Sequence, residues 1–128
     1  MRLLLDTHVF LWFILSPSQL SSDALAAIQT AENTIYLSLV SAWEMSIKSR
    51  LGKLSLEQPI EHFITGQAQH NRFEILPITL RHIAAVETLP LLHRDPFDRL
   101  LIAQSMTEGL PLITADRSIS AYSVKQIW

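Results

Sequence analysis

The stretch His93–Asp116, HRDPFDRLLIAQSMTEGLPLITAD, decides the fold. It carries a helix start, a helix stop and a return path. Asp95 is a favoured N-cap residue, and Pro96 fits the first helical position, where a missing N–H costs nothing. Gly109 suits the position just past a helix end, and Pro111 prevents continuation. About 13 residues lie between these signals, or roughly 19 Å of helix at 1.5 Å per residue. Leu112-Ile113-Thr114 then reads as a short buried strand, with Asp116 just beyond it.

A strand that follows a helix through a tight reversal runs back alongside it. Pro111 to Asp116 covers roughly 17 Å at about 3.3 Å per residue, nearly the length of the helix. Asp116 is therefore expected at the level of the helix N-terminus, where Asp98 occupies the first turn. The stretch predicts two carboxylates, distant in sequence, at one edge of a sheet.

Working outward, Leu3-Leu4-Leu5 reads as a buried strand ending at Asp6-Thr7-His8. Val9–Leu15 is helical and apolar almost all round, which demands cover on several sides or a second subunit. Ser16-Pro17-Ser18 breaks it, and Ser22 with Asp23 starts another helix reaching about Ala31. Thr34–Ser38 is the second strand. Ser41-Ala42-Trp43-Glu44 opens a helix that runs to about Leu51 and stops at Gly52. Pro59–His70 is amphipathic helix, Phe73–Leu76 the third strand, and Thr79–Glu87 a short helix. After the stretch quoted above, Ser118–Tyr122 forms a helical turn and Val124–Trp128 a fifth, edge strand. Strands alternating with helices predict an α/β fold, a three-layer α/β/α sandwich around a mostly parallel four- to five-stranded sheet.

The chain is a single domain of 128 residues, 48% of them hydrophobic, with a mean hydropathy of +0.23. Its longest apolar run, Val9–Leu15, falls far short of the roughly 20 residues that span a membrane. Asp6 and His8 interrupt the apolar N-terminus at once, which argues against a signal peptide. No cysteine is present, so disulfides and thiolate metal sites are excluded and a reducing cytoplasm is expected. A net charge of −2 argues against a protein that coats nucleic acid non-specifically, and leaves room for a local basic patch.

In parallel sheets, ligands collect outside the carboxyl ends of the strands. Asp6 and Asp116 each follow a strand, Glu44 opens a helix that follows one, and Asp98 belongs to the same edge. Singly, each has a structural explanation: Ser41-x-x-Glu44 and Asp95-x-x-Asp98 read as capping pairs, and Asp6 and Asp116 as turn residues. Together they are harder to dismiss, because two unit charges 4 Å apart repel by about 4 kcal/mol at an effective dielectric near 20. Four converging carboxylates call for a hard cation such as Mg²⁺ or Mn²⁺. Phosphoester hydrolysis by metal-activated water is the chemistry that uses such a site. Arg94, Arg99 and Arg117 each flank one of these acids and are candidate phosphate contacts, and His93 is a candidate substrate contact. The histidines show no paired-ligand spacing. Trp12, Trp43 and Trp128 read as core or interface residues.

The segments LLLDTHVFLW, SAWEMSIKSRLGKL, LPLLHRDPFDRLLIAQ and LITAD resemble those of PIN-domain proteins of the VapC-like toxin class, in the same order and over nearly the full chain. The resemblance implies Mg²⁺- or Mn²⁺-dependent cleavage of RNA, a homodimer, and a cognate antitoxin that inhibits the enzyme. It maps an acidic quartet onto Asp6, Glu44, Asp98 and Asp116, with Asp6 and Asp98 as principal metal ligands. It places a small hydroxyl residue at Thr114, orienting a carboxylate or a water. Rival readings fit less well. A dehalogenase-like phosphatase needs a second Asp where His8 stands, a receiver domain lacks its acceptor Asp and Lys, and an inactive binding module would not need the full quartet.

Overall fold

A computed structural model describes the whole chain, Met1–Trp128. Five strands, β1 (Arg2–Leu5), β2 (Thr34–Ser38), β3 (Glu74–Leu76), β4 (Leu112–Ile113) and β5 (Gln126–Ile127), form one sheet in the order β3-β2-β1-β4-β5. Every pairing is parallel. Six helices connect them: α1 (Thr7–Leu15), α2 (Ser22–Gln29), α3 (Leu39–Arg50), α4 (Ile60–Asn71), α5 (Leu80–Glu87) and α6 (Pro96–Glu108). The chain builds outward from β1 through β2 to β3, then crosses back to lay β4 on the other side. The strand order therefore reverses between β1 and β4, where open sheets of this kind leave a crevice.

Alternation along the strands sorts the core into two layers. Leu3 and Leu5 join Ile35, Leu37 and Ile113 beneath Val9, Phe10, Ile28 and Phe63. Leu4 and Leu112 face the opposite way, onto Leu100, Leu101 and Ile102 of α6 and onto Leu76 and Tyr122. Both faces of the sheet are covered, which is why β1 reads as an unbroken apolar run. Burying each such Leu or Ile contributes about 1.5–3 kcal/mol. The expected three-layer sandwich is the observed one.

Helix α6 has the predicted limits. The Asp95 carboxylate accepts hydrogen bonds from the N–H groups of Phe97 and Asp98, at 2.8 and 3.1 Å. Gly109 terminates the helix at φ 67°, a left-handed conformation that a glycine adopts without a Cβ penalty.

Helix α3 differs from expectation. It begins at Leu39, capped by the Ser38 hydroxyl, which accepts from the Val40 N–H at 3.0 Å. Ser38 also donates to Gln104 of α6, while Ser41, the expected cap, hydrogen-bonds Thr7 at 2.8 Å. Glu44 thus lies in the second turn and belongs to no capping box. Helix α1 is covered within the chain: Leu11, Phe13 and Ile14 pack on the core, and only its last residue, Leu15, is a largely exposed hydrophobic. A second subunit is not required to bury it. No helix is long and apolar enough to cross a membrane.

Candidate active site

Asp6 leaves β1 and precedes α1, yet its side chain makes no capping hydrogen bond. Its carboxylate instead accepts from the Thr114 hydroxyl at 2.8 Å, across the β1–β4 boundary. The same hydroxyl oxygen accepts from the Asp116 N–H at 3.1 Å, so Thr114 ties the first and last acids of the chain together. Asp6 is almost fully buried. Burial pushes its carboxyl above the usual range, and the nearby charge of Glu44 adds to this against the opposing pull of Thr114 and His8.

Asp98 projects from the first turn of α6 beside this pair. Its carboxyl is pushed up to about 7, by burial first and then by the charges of Asp6 and Asp95. Asp116 goes the other way. Hydrogen bonds from the Ser118 hydroxyl, from His93 and from the Ser118 N–H together outweigh its partial burial and hold it below the usual carboxylate range.

His93 joins the two. Its Nδ1 accepts from the Asp95 N–H at 3.2 Å, which leaves the ring proton on Nε2. That Nε2 lies 3.2 Å from Asp98 Oδ2 and 3.0 Å from Asp116 Oδ2. All three atoms fall within 4.8 Å of one another, the spacing of a metal site. In this tautomer, however, Nε2 is a donor. The imidazole holds the carboxylates together rather than adding a ligand.

Glu44 completes the cluster. It is buried, and one carboxylate oxygen pairs with Lys48 Nζ at 2.7 Å, the expected i,i+4 contact. The other, Oε1, is buried with no hydrogen-bond partner. An orphaned acceptor costs about 1–3 kcal/mol, more when charged. A hard divalent cation among Asp6, Glu44, Asp98 and Asp116 would satisfy it and relieve the repulsion that adds to burial in raising Asp6 and Asp98. The donor set, oxygen throughout, fits Mg²⁺ or Mn²⁺.

Asp6, Asp98 and Asp116, with His8, Trp12 and Ala115, line an open cleft of about 370 Å³. Hollows of about 380 and 490 Å³ lie elsewhere on the surface, but neither is walled by converging carboxylates.

Of the arginines proposed for phosphate, Arg99 is a correction. It is buried, and its guanidinium donates to the carbonyls of Pro90 (2.9 Å), Leu89 (3.1 Å), His93 (3.3 Å) and Val86 (3.4 Å). It fastens the loop that carries His93. Arg99 leads into the continuous buried run Leu100–Ser105, one helical step from Asp98. Arg94 and Arg117 are exposed, next in sequence to His93 and Asp116. His8 and Trp12 border the cleft although no residue pattern marked them.

A family model described as PIN domain matches residues 3–125. This chain belongs to the PIN-domain family. Among individual proteins, it is 30% identical over 120 residues to ribonuclease VapC22 of Mycobacterium tuberculosis, covering 93% of this chain and 90% of that one. Of solved structures, VapBC2 from Rickettsia felis, bound to a DNA fragment from its promoter, aligns with a TM-score of 0.71 at 17% identity, over 98% of this chain and 97% of that one. A toxin–antitoxin complex from Klebsiella pneumoniae aligns with a TM-score of 0.62 at 18% identity, over 98% and 96%. At such identities the structural likeness establishes the fold. In this PIN domain the carboxylates gather at the β1–β4 reversal, the position that strand order alone selects for a ligand.

Proposed function

We propose that this PIN domain is a divalent-metal-dependent endoribonuclease, the toxin of a toxin–antitoxin pair, and that it works in the cytoplasm. The observation that carries the reading is the buried, partnerless Oε1 of Glu44 beside two carboxyls pushed above their usual range. Kinship with a ribonuclease over nearly the whole chain supplies the substrate class.

Asp6, Glu44, Asp98 and Asp116 would hold Mg²⁺ or Mn²⁺. When bound, the ion neutralises charge on the phosphate and supplies an activated water as nucleophile, so no covalent enzyme intermediate is expected. The chain's own residues supply position. Thr114 fixes one Asp6 oxygen, His93 spaces Asp98 and Asp116, and Lys48 holds one oxygen of Glu44 while Oε1 stays without a partner. Arg94 and Arg117 meet backbone phosphates without reading sequence.

The cognate antitoxin would inhibit the enzyme by binding it. Self-association would use the exposed apolar residues Leu39, Trp43 and Ile47 of α3, together with Leu80 and Ile83 of α5. Contiguous exposed apolar surface ordinarily marks such contacts. For α1 the cover comes from the chain itself, and these residues are the ones left for a second subunit.

The test is cleavage of single-stranded RNA by the purified chain in Mg²⁺ or Mn²⁺ and in EDTA, beside the Asp6→Asn and Asp98→Asn variants. The expected result is cleavage only by the wild type and only with metal. Full activity in EDTA, or in either folded variant, would overturn the assignment.

A further inference from the structure

The cleft has an aromatic wall that the carboxylate chemistry does not use. His8 and Trp12 stand one turn apart on α1, with ring centroids 6.0 Å apart and planes inclined at 46°. Both line the same cleft as Asp6, Asp98 and Asp116. Trp128, just after β5, packs on Trp12 with centroids 5.9 Å apart. Leu11, Phe13 and Ile14, the sequence neighbours of Trp12, pack against the core, whereas Trp12 joins neither core layer. Its indole contacts both His8 and Trp128 and borders the cleft.

We propose that Trp12, braced by Trp128 and flanked by His8, is a stacking platform for one base of single-stranded RNA, that of a nucleotide adjoining the phosphate at the carboxylates. The inference rests on the nuclease reading and adds a base subsite to it. Trp12 lies roughly 9 Å along the helix axis from Asp6, so a strand whose phosphate reaches the acids must carry a neighbouring base past α1. An indole face accepts any base, because every base has a π-face, and unpaired RNA is the form whose bases are free to stack. A cleft of about 370 Å³ also falls in the range that takes a small ligand. The preference so produced is for unpaired over paired RNA rather than for one sequence.

The experiment compares binding of a short oligoribonucleotide with binding of an abasic ribose-phosphate chain of equal length and charge. Fluorescence anisotropy in EDTA reads affinity, and cleavage in Mg²⁺ supplies KM and kcat. The wild type should bind the intact oligomer about 10-fold more tightly than the abasic one, the scale of a single base–aromatic stack. Trp12→Leu should abolish that difference and raise KM with little change in kcat, and Trp12→Phe should restore most of it. Equal binding of the two oligomers by the wild type would overturn the platform, and so would an undiminished base effect in Trp12→Leu. If Trp12→Leu does not fold, the wild-type comparison decides by itself. Metal-dependent cleavage without a base effect would sink the subsite alone. Absence of both cleavage and RNA binding would sink the nuclease reading together with it.

Discussion

Replacing Asp98 by asparagine should make the metal-free protein more stable while removing its activity. In the folded chain the Asp98 carboxyl is pushed to about 7, against 3.8 for an unperturbed group. Because the folded value is the higher, the stability linked to this group is fully present below about pH 3.8 and is lost as the pH rises through about 7. A change of that size corresponds to about 4 kcal/mol. The side chain remains 21% exposed in an open cleft, and solvent screening reduces the figure to about 2 kcal/mol. Asparagine gives up a favourable charge in the first turn of α6, about 0.3–1 kcal/mol, and part of the contact with His93. The net gain is about 1 kcal/mol, or roughly 3–6 °C in Tm for a domain of this size. Thermal melts in EDTA at about pH 4 and about pH 8 test the sign, since the advantage of the variant should appear only at the higher pH. Mg²⁺ at the higher pH should then raise the wild-type Tm more than that of the variant. A lower Tm in the metal-free variant at the higher pH, with equal responses to Mg²⁺, would mean that Asp98 serves only the helix dipole.

Other perturbations test the framework around the site. Arg99→Met strands the carbonyls of Val86, Leu89, Pro90 and His93 and should cost about 2–4 kcal/mol in urea unfolding. Arg99→Lys should rescue little of this, because one ammonium cannot reproduce a planar fork. Ser38→Ala removes the α3 cap and leaves Gln104 Oε1 without its donor, so a loss of about 1–3 kcal/mol is expected by the same measurement. Trp43→Glu combined with Ile47→Glu should convert a wild-type dimer to monomer in sedimentation at tens of micromolar, and should cost the monomer unit about 0.5–1.5 kcal/mol through the lost Trp43–Phe97 contact. A wild type that sediments as a monomer there would refute self-association.

Much of the molecule was legible because it is governed locally. The limits of α6 follow from Asp95, Pro96, Gly109 and Pro111, whose effects on φ and on orphan N–H and C=O groups act within about four residues. The return of Leu112–Thr114 beside that helix is a matter of length, and it brought Asp116 back to Asp98. The two-faced burial of the strands was written in their apolar runs. Thus the α/β class and the four candidate acids could be read directly from the chain.

The remainder depended on partners that meet only after the sheet is assembled. Ser41 is the cap that the sequence predicts for α3; Ser38 caps it instead, donating to Gln104 from α6 while Thr7 engages Ser41. Arg99 and Asp98 are neighbours in sequence, but one step of helix turns one into the core and the other into the cleft. His93 became a clasp between two carboxylates only because β4 lies beside β1 and places Asp116 within reach. Trp12 reads in sequence as core or interface, and it borders the cleft packed on Trp128, which follows the edge strand. Local rules set where elements begin and end. Which side chains face one another is set by strand order, and strand order places residues side by side that are far apart along the chain.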